Sequence, residues 1–330
     1  MRRREFITLL GGGAALWPLT VRAQQPAGMR RIVLFMANYR LNDREGLIRA
    51  AAFIDVLQKL GWTDGRNIAI EYRWEAGDAE RGKSSAAELA SAGPDVIVGV
   101  GSPPVLSELH RLTNTIPIVF TQISDPVEAG LVASVAHPGG NITGFTNFES
   151  AMGSKWLGVL KEVAPTTRRV GFVMGSDSVP DVAWLHAAEA AAPPLGIQLD
   201  SIDIRNGVDE SAIESFAAQP NAGLIVVPHP VTVTNHGPII KAVARHRAPA
   251  LYPFRYFAAE GGLMSYGPDQ VEEWRNAASY VDRILRGEQP GGLPIQAPTK
   301  FDLVINLKTA KEIGLAIPQT LLATADEVIE

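Results

Sequence analysis

Two successive sets of short apolar runs, each run followed by a helical pattern, constrain this chain more than any other feature. Residues 31–37 (RIVLFMA), 95–100 (DVIVGV) and 116–120 (IPIVF) are near-continuous apolar stretches. Strands buried on both faces read this way, whereas half-exposed strands alternate. Between them, residues 42–60 carry Leu47, Ile48, Ala51, Ile54, Val56, Leu57 and Leu60 at helical spacing, and Gly61 stops the pattern. Residues 67–74 alternate as a strand, and residues 78–92 and 103–112 read as helices. A turn-rich segment, His137-Pro138-Gly139-Gly140-Asn141, then marks the edge of a first unit. The alternation restarts with strands at 169–174, 198–204, 222–227 and 248–252, separated by helices at 182–192, 210–218 and 237–245. Alternating β and α elements imply parallel, doubly wound sheets, here two of them either side of a crossover near 141–148.

The C-terminal part breaks the rhythm. Gly262–Gly267 reads as a short strand, and Pro268 opens a helix reaching about Arg286. A Pro/Gly-rich connection over 287–298 leads to a strand at 301–306 and a helix at 308–314. This tail is expected to recross between the two units and make a hinge of several strands. The expected division is 30–145 plus about 268–298 for lobe one, and 146–267 plus about 299–330 for lobe two. A chain of 330 residues fits two lobes of about 100–150 residues each.

The N-terminus is a different kind of segment. Arg2, Arg3 and Arg4 precede an apolar stretch over residues 7–19, which closes on Val21-Arg22-Ala23. That is the order of a signal peptide, with cleavage expected after Ala23. The apolar part is too short to span roughly 30 Å of hydrocarbon as a helix. Arg3-Arg4-Glu5-Phe6-Ile7 looks like a twin-arginine export motif. The sequence contains no cysteine, so a disulfide scaffold, a thiolate metal site and an N-terminal lipid anchor are not expected. With a formal net charge of -5 and no basic block beyond the N-terminus, nucleic acid is not an expected partner.

In open parallel sheets, ligands bind beyond the carboxyl ends of the strands. That rule selects Asn38 and Tyr39, Ser102, and the stretch from Gln122 to Asp125 in the first unit. In the second it selects Ser176 and Asp177, His229, and Tyr256. Ser102 precedes a helix, so its hydroxyl and the following N–H groups are a carboxylate site or an ordinary cap. Asp125, before Pro126 and an expected helix, is an ammonium acceptor or a cap. Tyr39, Tyr256 and Tyr266 are candidates for stacking on a ring or for hydroxyl hydrogen bonds, and equally for packing. The six histidines are scattered without ligand spacing, so no metal is expected. No phosphate loop, dinucleotide fingerprint or nucleophile elbow is present, so neither a cofactor nor catalysis is expected.

Six motifs in fixed order carry a resemblance over about residues 30–330. They are Ile116-Pro117-Ile118-Val119-Phe120, Asp125-Pro126-Val127-Glu128-Ala129-Gly130-Leu131-Val132, and Pro138-Gly139-Gly140-Asn141-Ile142-Thr143-Gly144. Then come Gly261-Gly262-Leu263-Met264-Ser265-Tyr266-Gly267, Asn306-Leu307-Lys308-Thr309-Ala310, and Ala325-Asp326-Glu327-Val328-Ile329. The sequence resembles the ABC-transporter substrate-binding family that includes tryptophan- and phenylalanine-binding proteins. The resemblance implies the type 1 periplasmic-binding architecture, with two Rossmann-like lobes and parallel sheets. It implies a monomer in the periplasm that closes on a small molecule, an amino acid or small organic or aromatic acid, and presents it to an ABC permease. By motif, Ser102 and Asp125 are its lobe-one ligand contacts. Where amino-acid-binding members carry Pro-Thr-Asp-Asn in lobe two, this chain reads Pro228-His229-Pro230-Val231-Thr232, so the acidic partner of an amino group is missing. A ligand sensor feeding a membrane receptor, or a periplasmic enzyme, are the alternatives left open by the sequence.

Overall fold

The computed structural model describes residues 28–330, so the expected targeting segment lies outside the described residues. Strands β1 (Arg30–Met36), β2 (Ile68–Trp74), β3 (Val96–Val100), β4 (Ile118–Thr121) and β5 (Ile142–Gly144) are joined by helices α1 (Arg44–Lys59), α2 (Ala79–Ala92) and α3 (Pro103–Leu112). The chain continues through α4 (Met152–Val163), β6 (Arg169–Met174), α5 (Val179–Leu195), β7 (Gln198–Asp203), α6 (Glu210–Ala217) and β8 (Ala222–Val226). Helices α7 (Pro230–Thr234) and α8 (His236–Arg245), strand β9 (Ala250–Tyr252), helix α9 (Arg255–Ala259) and strand β10 (Met264–Gly267) follow. The tail holds α10 (Gln270–Leu285), β11 (Asp302–Asn306), α11 (Leu307–Ile313), α12 (Gln319–Thr324) and β12 (Glu327–Ile329).

The strands form two sheets, ordered β2-β1-β3-β4-β5 and β12-β11-β10-β9-β8-β6-β7. Only the β10–β11 pair is antiparallel among the described residues. The parallel, doubly wound α/β class read from the apolar runs is therefore what the chain adopts. In the first sheet the order reverses between β1 and β3, and in the second between β6 and β8. Such switch points leave a crevice beyond the strand ends.

Three stretches of chain pass between the two sheets' elements. The first leaves β5 at Phe145, the second leaves β10 for α10 at Pro268, and the third returns to β11 beyond Gln296. The first and third are bonded to each other: Thr146 N–H donates to the Gln296 carbonyl at 2.8 Å, and Gln296 N–H to the Gly144 carbonyl at 3.1 Å. Phe148 anchors the first crossing between Trp156 and Trp184, with ring centroids 5.3 and 5.9 Å away. Trp156 Nε1 donates to the Tyr266 carbonyl of β10 at 2.9 Å, which ties the first crossing to the second. Helix α10 begins at the Asp269 cap, whose carboxylate accepts from Val271 and Glu272 N–H. It packs along α1 through Phe53 and Trp274, whose rings meet edge-on at 6.1 Å.

The buried face of α1 differs from the one read in the sequence. Gly46, Arg49, Ala50, Phe53 and Leu57 face inward, while Leu47, Ile48 and Leu60 are exposed. The apolar spacing of Leu47 and Ile48 is real, but packing against α10 turns the helix so that an arginine lies inside.

Candidate functional site

The carboxyl ends of β1, β3 and β4 face those of β6, β8 and β9 across a cleft, and its walls touch. The Thr234 hydroxyl, at the end of α7, donates to the Asn38 carbonyl at 3.1 Å. Arg40 Nη2 donates to Asn235 Oδ1 at 3.4 Å. Gly77 makes the approach possible: a Cβ built there would lie 2.7 Å from Thr234 Oγ1.

One wall starts at Asn38, which is buried after β1. Its Nδ2 donates to the Gly101 carbonyl at 2.7 Å, while its Oδ1 has no hydrogen-bond partner. Tyr39 is buried beside it, and its hydroxyl meets the Gln122 amide at 3.2–3.3 Å across the ends of β3 and β4. Ser102 is buried at the first position before α3, yet its side chain makes no cap hydrogen bond. The next two residues are Pro103 and Pro104, which have no N–H to offer. The helix start there is therefore a poorer carboxylate cradle than the sequence position suggested.

Asp125 is half-buried, and no helix follows it; Pro126–Gly130 is a turn. The capping alternative for this residue is thereby removed. Its backbone is left-handed at φ 45°, and its Oδ2 accepts from the Ser150 hydroxyl at 3.1 Å. Burial pushes its carboxyl above the ordinary range, against the Ser150 hydrogen bond.

On the opposite wall, Tyr256 is buried in α9, with its ring stacked on Phe254 and Phe257 and edge-on to His236. Its hydroxyl has no partner, and burial raises its pKa well above the usual tyrosine range. His229 caps α7: its Nδ1 accepts from Val231 N–H at 3.2 Å, and Thr232 Oγ1 accepts from His229 N–H in return. The other edge of its ring faces Gly175.

Three sequence candidates fall away from this group. Ser176 is exposed and its hydroxyl donates to Asp203 at 2.6 Å, on the outer edge of the second sheet. Asp177 is exposed beside it, and both line a separate opening of about 270 Å³ with Glu128, Val179 and His186. Tyr266 lies on the crossing strand β10, where its ring packs against Phe301 at 6.0 Å.

Two residues of the site escape the strand-end rule because helices supply them. Arg49 of α1 is 2% exposed. Its guanidinium lies 5.3 Å from the Tyr39 ring and 5.6 Å from the Tyr256 ring, so it touches both walls. Nη1 pairs with Glu45 at 2.9 Å, Nη2 donates to Gln270 of α10, and Nε has no partner. Glu273, one turn along α10, accepts the Gln122 N–H at 2.5 Å with one oxygen and leaves the other unpartnered. Burial pushes its pKa up to about 8, against the Gln122 hydrogen bond and the Arg49 charge. The signal for Arg49 was its spacing with Phe53 and Leu57 along one helical face, which hydropathy alone reads as outward.

This architecture can be set beside known proteins. The family model for ABC transporter substrate binding proteins matches residues 44–329. The chain belongs to the ABC transporter substrate-binding protein family. A tyrosine-binding protein of Clostridioides difficile is 25% identical over 267 residues, covering 80% of this chain and 75% of that one. A conserved domain protein from Vibrio cholerae superposes with a TM-score of 0.82 at 25% identity, covering 91% of this substrate-binding protein and all of the other. The ABC domain from Streptococcus pneumonia in complex with L-Trp gives a TM-score of 0.80 at 21% identity, over 92% of this chain and all of that one. The last likeness speaks for the fold alone.

Proposed function

We propose that this substrate-binding protein is the extracytoplasmic capture component of an ABC importer. It holds a small organic solute, an amino acid or a small organic or aromatic acid, in the cleft and presents it to a membrane permease. The observation that carries this reading is the set of buried polar atoms without partners at the facing strand ends: Asn38 Oδ1, Arg49 Nε, Tyr256 hydroxyl and Glu273 Oε2. Buried polar atoms are nearly always hydrogen-bonded in native proteins, so a group of unpartnered donors and acceptors in one cleft suits a polar ligand. The name of the tyrosine-binding relative supports a ligand of that size.

In this reading Asn38, Tyr39, Ser102, Asp125, His229 and Tyr256 contact the solute, with Ser176, Asp177 and Tyr266 as outlying candidates. The lobes are 30–145 plus 268–298 and 146–267 plus 299–330, and the three crossings are the hinge. The protein works as a monomer without cofactor or catalysis. Export to the periplasm rests on the signal-peptide order of residues 1–23. Solute favours the closed arrangement, so binding shifts an open–closed equilibrium.

A thermal-shift screen of the mature protein tests the capture role. The panel contains amino acids, aromatic carboxylates, neutral aromatics, amines and sugars. A true solute at 100-fold excess over its Kd is expected to add about 2.7 kcal/mol of stability. A chain that no small molecule stabilises would contradict the reading. Closure has its own test. Thr234→Val removes a hydrogen bond that joins the walls, worth about 0.5–1.5 kcal/mol. Solute affinity is expected to fall roughly two- to tenfold by calorimetry, with unchanged stability of the solute-free protein. Equal affinity in the variant would separate capture from closure.

A further inference from the structure

We propose that Arg49 Nε and the Tyr256 hydroxyl form the anchor for a carboxylate on the captured solute, one donor from each wall of the cleft. This rests on the capture role proposed above and names the solute's chemistry.

The guanidinium is fixed on every side but one. Its faces lie against the Tyr39 and Tyr256 rings, Nη1 is held by the Glu45 carboxylate and carbonyl, and Nη2 by Gln270. What remains is Nε–H, buried and unbonded. Tyr256 is equally fixed, since its ring is packed by Phe254, Phe257 and His236. Its hydroxyl is also buried and unbonded. Two immobile donors without acceptors call for an acceptor, and a carboxylate oxygen takes hydrogen bonds from charged and phenolic donors more strongly than a neutral carbonyl does.

The balance of orphans agrees. Glu273, in the field of Arg49 and Tyr39, is mostly protonated at neutral pH and so adds a third donor. Asn38 Oδ1 is the single unpartnered acceptor in the group and suits an N–H or O–H elsewhere on the solute. The alternative cradle at α3 is impoverished by Pro103 and Pro104. Because Arg49 comes from α1 and Tyr256 from α9, an anion bonded to both joins the two walls, which couples recognition to closure.

The anchor predicts a pH dependence. The titratable groups that act on Glu273 are Arg49 of α1 and Tyr39 after β1, and the Asp269 cap and Glu272 share its end of α10. Ionisation of Glu273 places a second negative charge beside the bound carboxylate. If only the protonated form accepts the anion, affinity falls by up to about tenfold per unit above pH 8, and is level below it.

Matched probes test the proposal on the mature protein: L-tyrosine against L-tyrosinamide, L-tryptophan against L-tryptophanamide, and phenylacetate against phenylacetamide. Carboxylates are expected to bind, and their amides at least tenfold more weakly. Tyr256→Phe keeps the ring and loses the donor, with an expected loss of about tenfold or more for the carboxylate and little change for an amide. Arg49→Lys keeps the charge without the Nε–H and is expected to lose a similar factor. Unfolding curves for both variants separate lost recognition from a lost fold. An amide that binds as tightly as its acid, or a Tyr256→Phe variant within twofold of the parent, overturns the anchor. A sugar or neutral aromatic from the wider screen that binds in preference to every carboxylate also overturns it, while the capture role stands.

Discussion

Replacing Gly267 with alanine is expected to destabilise the protein by about 3 kcal/mol or more and to weaken solute binding with it. Gly267 is the last residue of β10, paired with Asp302, where the chain turns toward α10. A Cβ there would collide with the Pro253 carbonyl oxygen and approach the Phe148 ring at 3.1 Å. Neither neighbour can yield cheaply. Pro253 is backbone leading into Tyr256, and Phe148 is locked between Trp156 and Trp184. Overpacking a tight site commonly costs 1–3 kcal/mol, more where backbone must move. Urea unfolding reads this as a lower midpoint at unchanged slope. Gly158→Ala in α4 is the control: nothing lies within 4 Å of its Cβ, so up to about 1 kcal/mol of stabilisation is expected. Equal behaviour of the two variants would contradict the packing described for the second crossing.

Glu273→Gln has an expected effect of similar size and opposite sign, and it depends on pH. The folded pKa of about 8 lies above the reference value of 4.5. Between those values the folded state holds a proton that the unfolded state has lost. Wild-type stability therefore falls as pH rises from about 4.5 to 8, and levels off above. A shift of this size corresponds to a contribution on the order of 5 kcal/mol. Glutamine keeps the acceptor for the Gln122 N–H and never ionises. The variant is expected to match wild type near pH 4 and to exceed it by several kcal/mol at pH 8. A constant difference across that range would mean that Glu273 titrates normally.

The doubly wound class was legible because its strands are buried on both faces and read as unbroken apolar runs. Residues 169–174 were bounded correctly for that reason. Several short elements were not legible, α7, α9, α12 and β12 among them, and two more show why. Strand β5 is three residues long and hides behind the Pro138-Gly139-Gly140 turn. Helix α4 carries Met152, Trp156, Leu157, Leu160 and Val163 at helical spacing, but Ala151 at its start supplies no capping side chain to announce it. Of the residues that line the candidate site, the strand-end rule selected Asn38, Tyr39 and Tyr256. It had no means to find Arg49 and Glu273, which helices deliver. Arg49 meets Gln270 across 221 residues of sequence, and no local pattern records that contact. The same rule also selected Ser176, whose partner, Asp203, sits on the outer sheet edge.

The most direct test of the capture role is small-angle X-ray scattering of the mature protein, with and without a solute that stabilises it in the thermal screen. A closing two-lobed receptor is expected to show a smaller radius of gyration at saturation, with the change lost or reduced in Thr234→Val. An unchanged radius at full occupancy, with the solute consumed during the measurement, would contradict it.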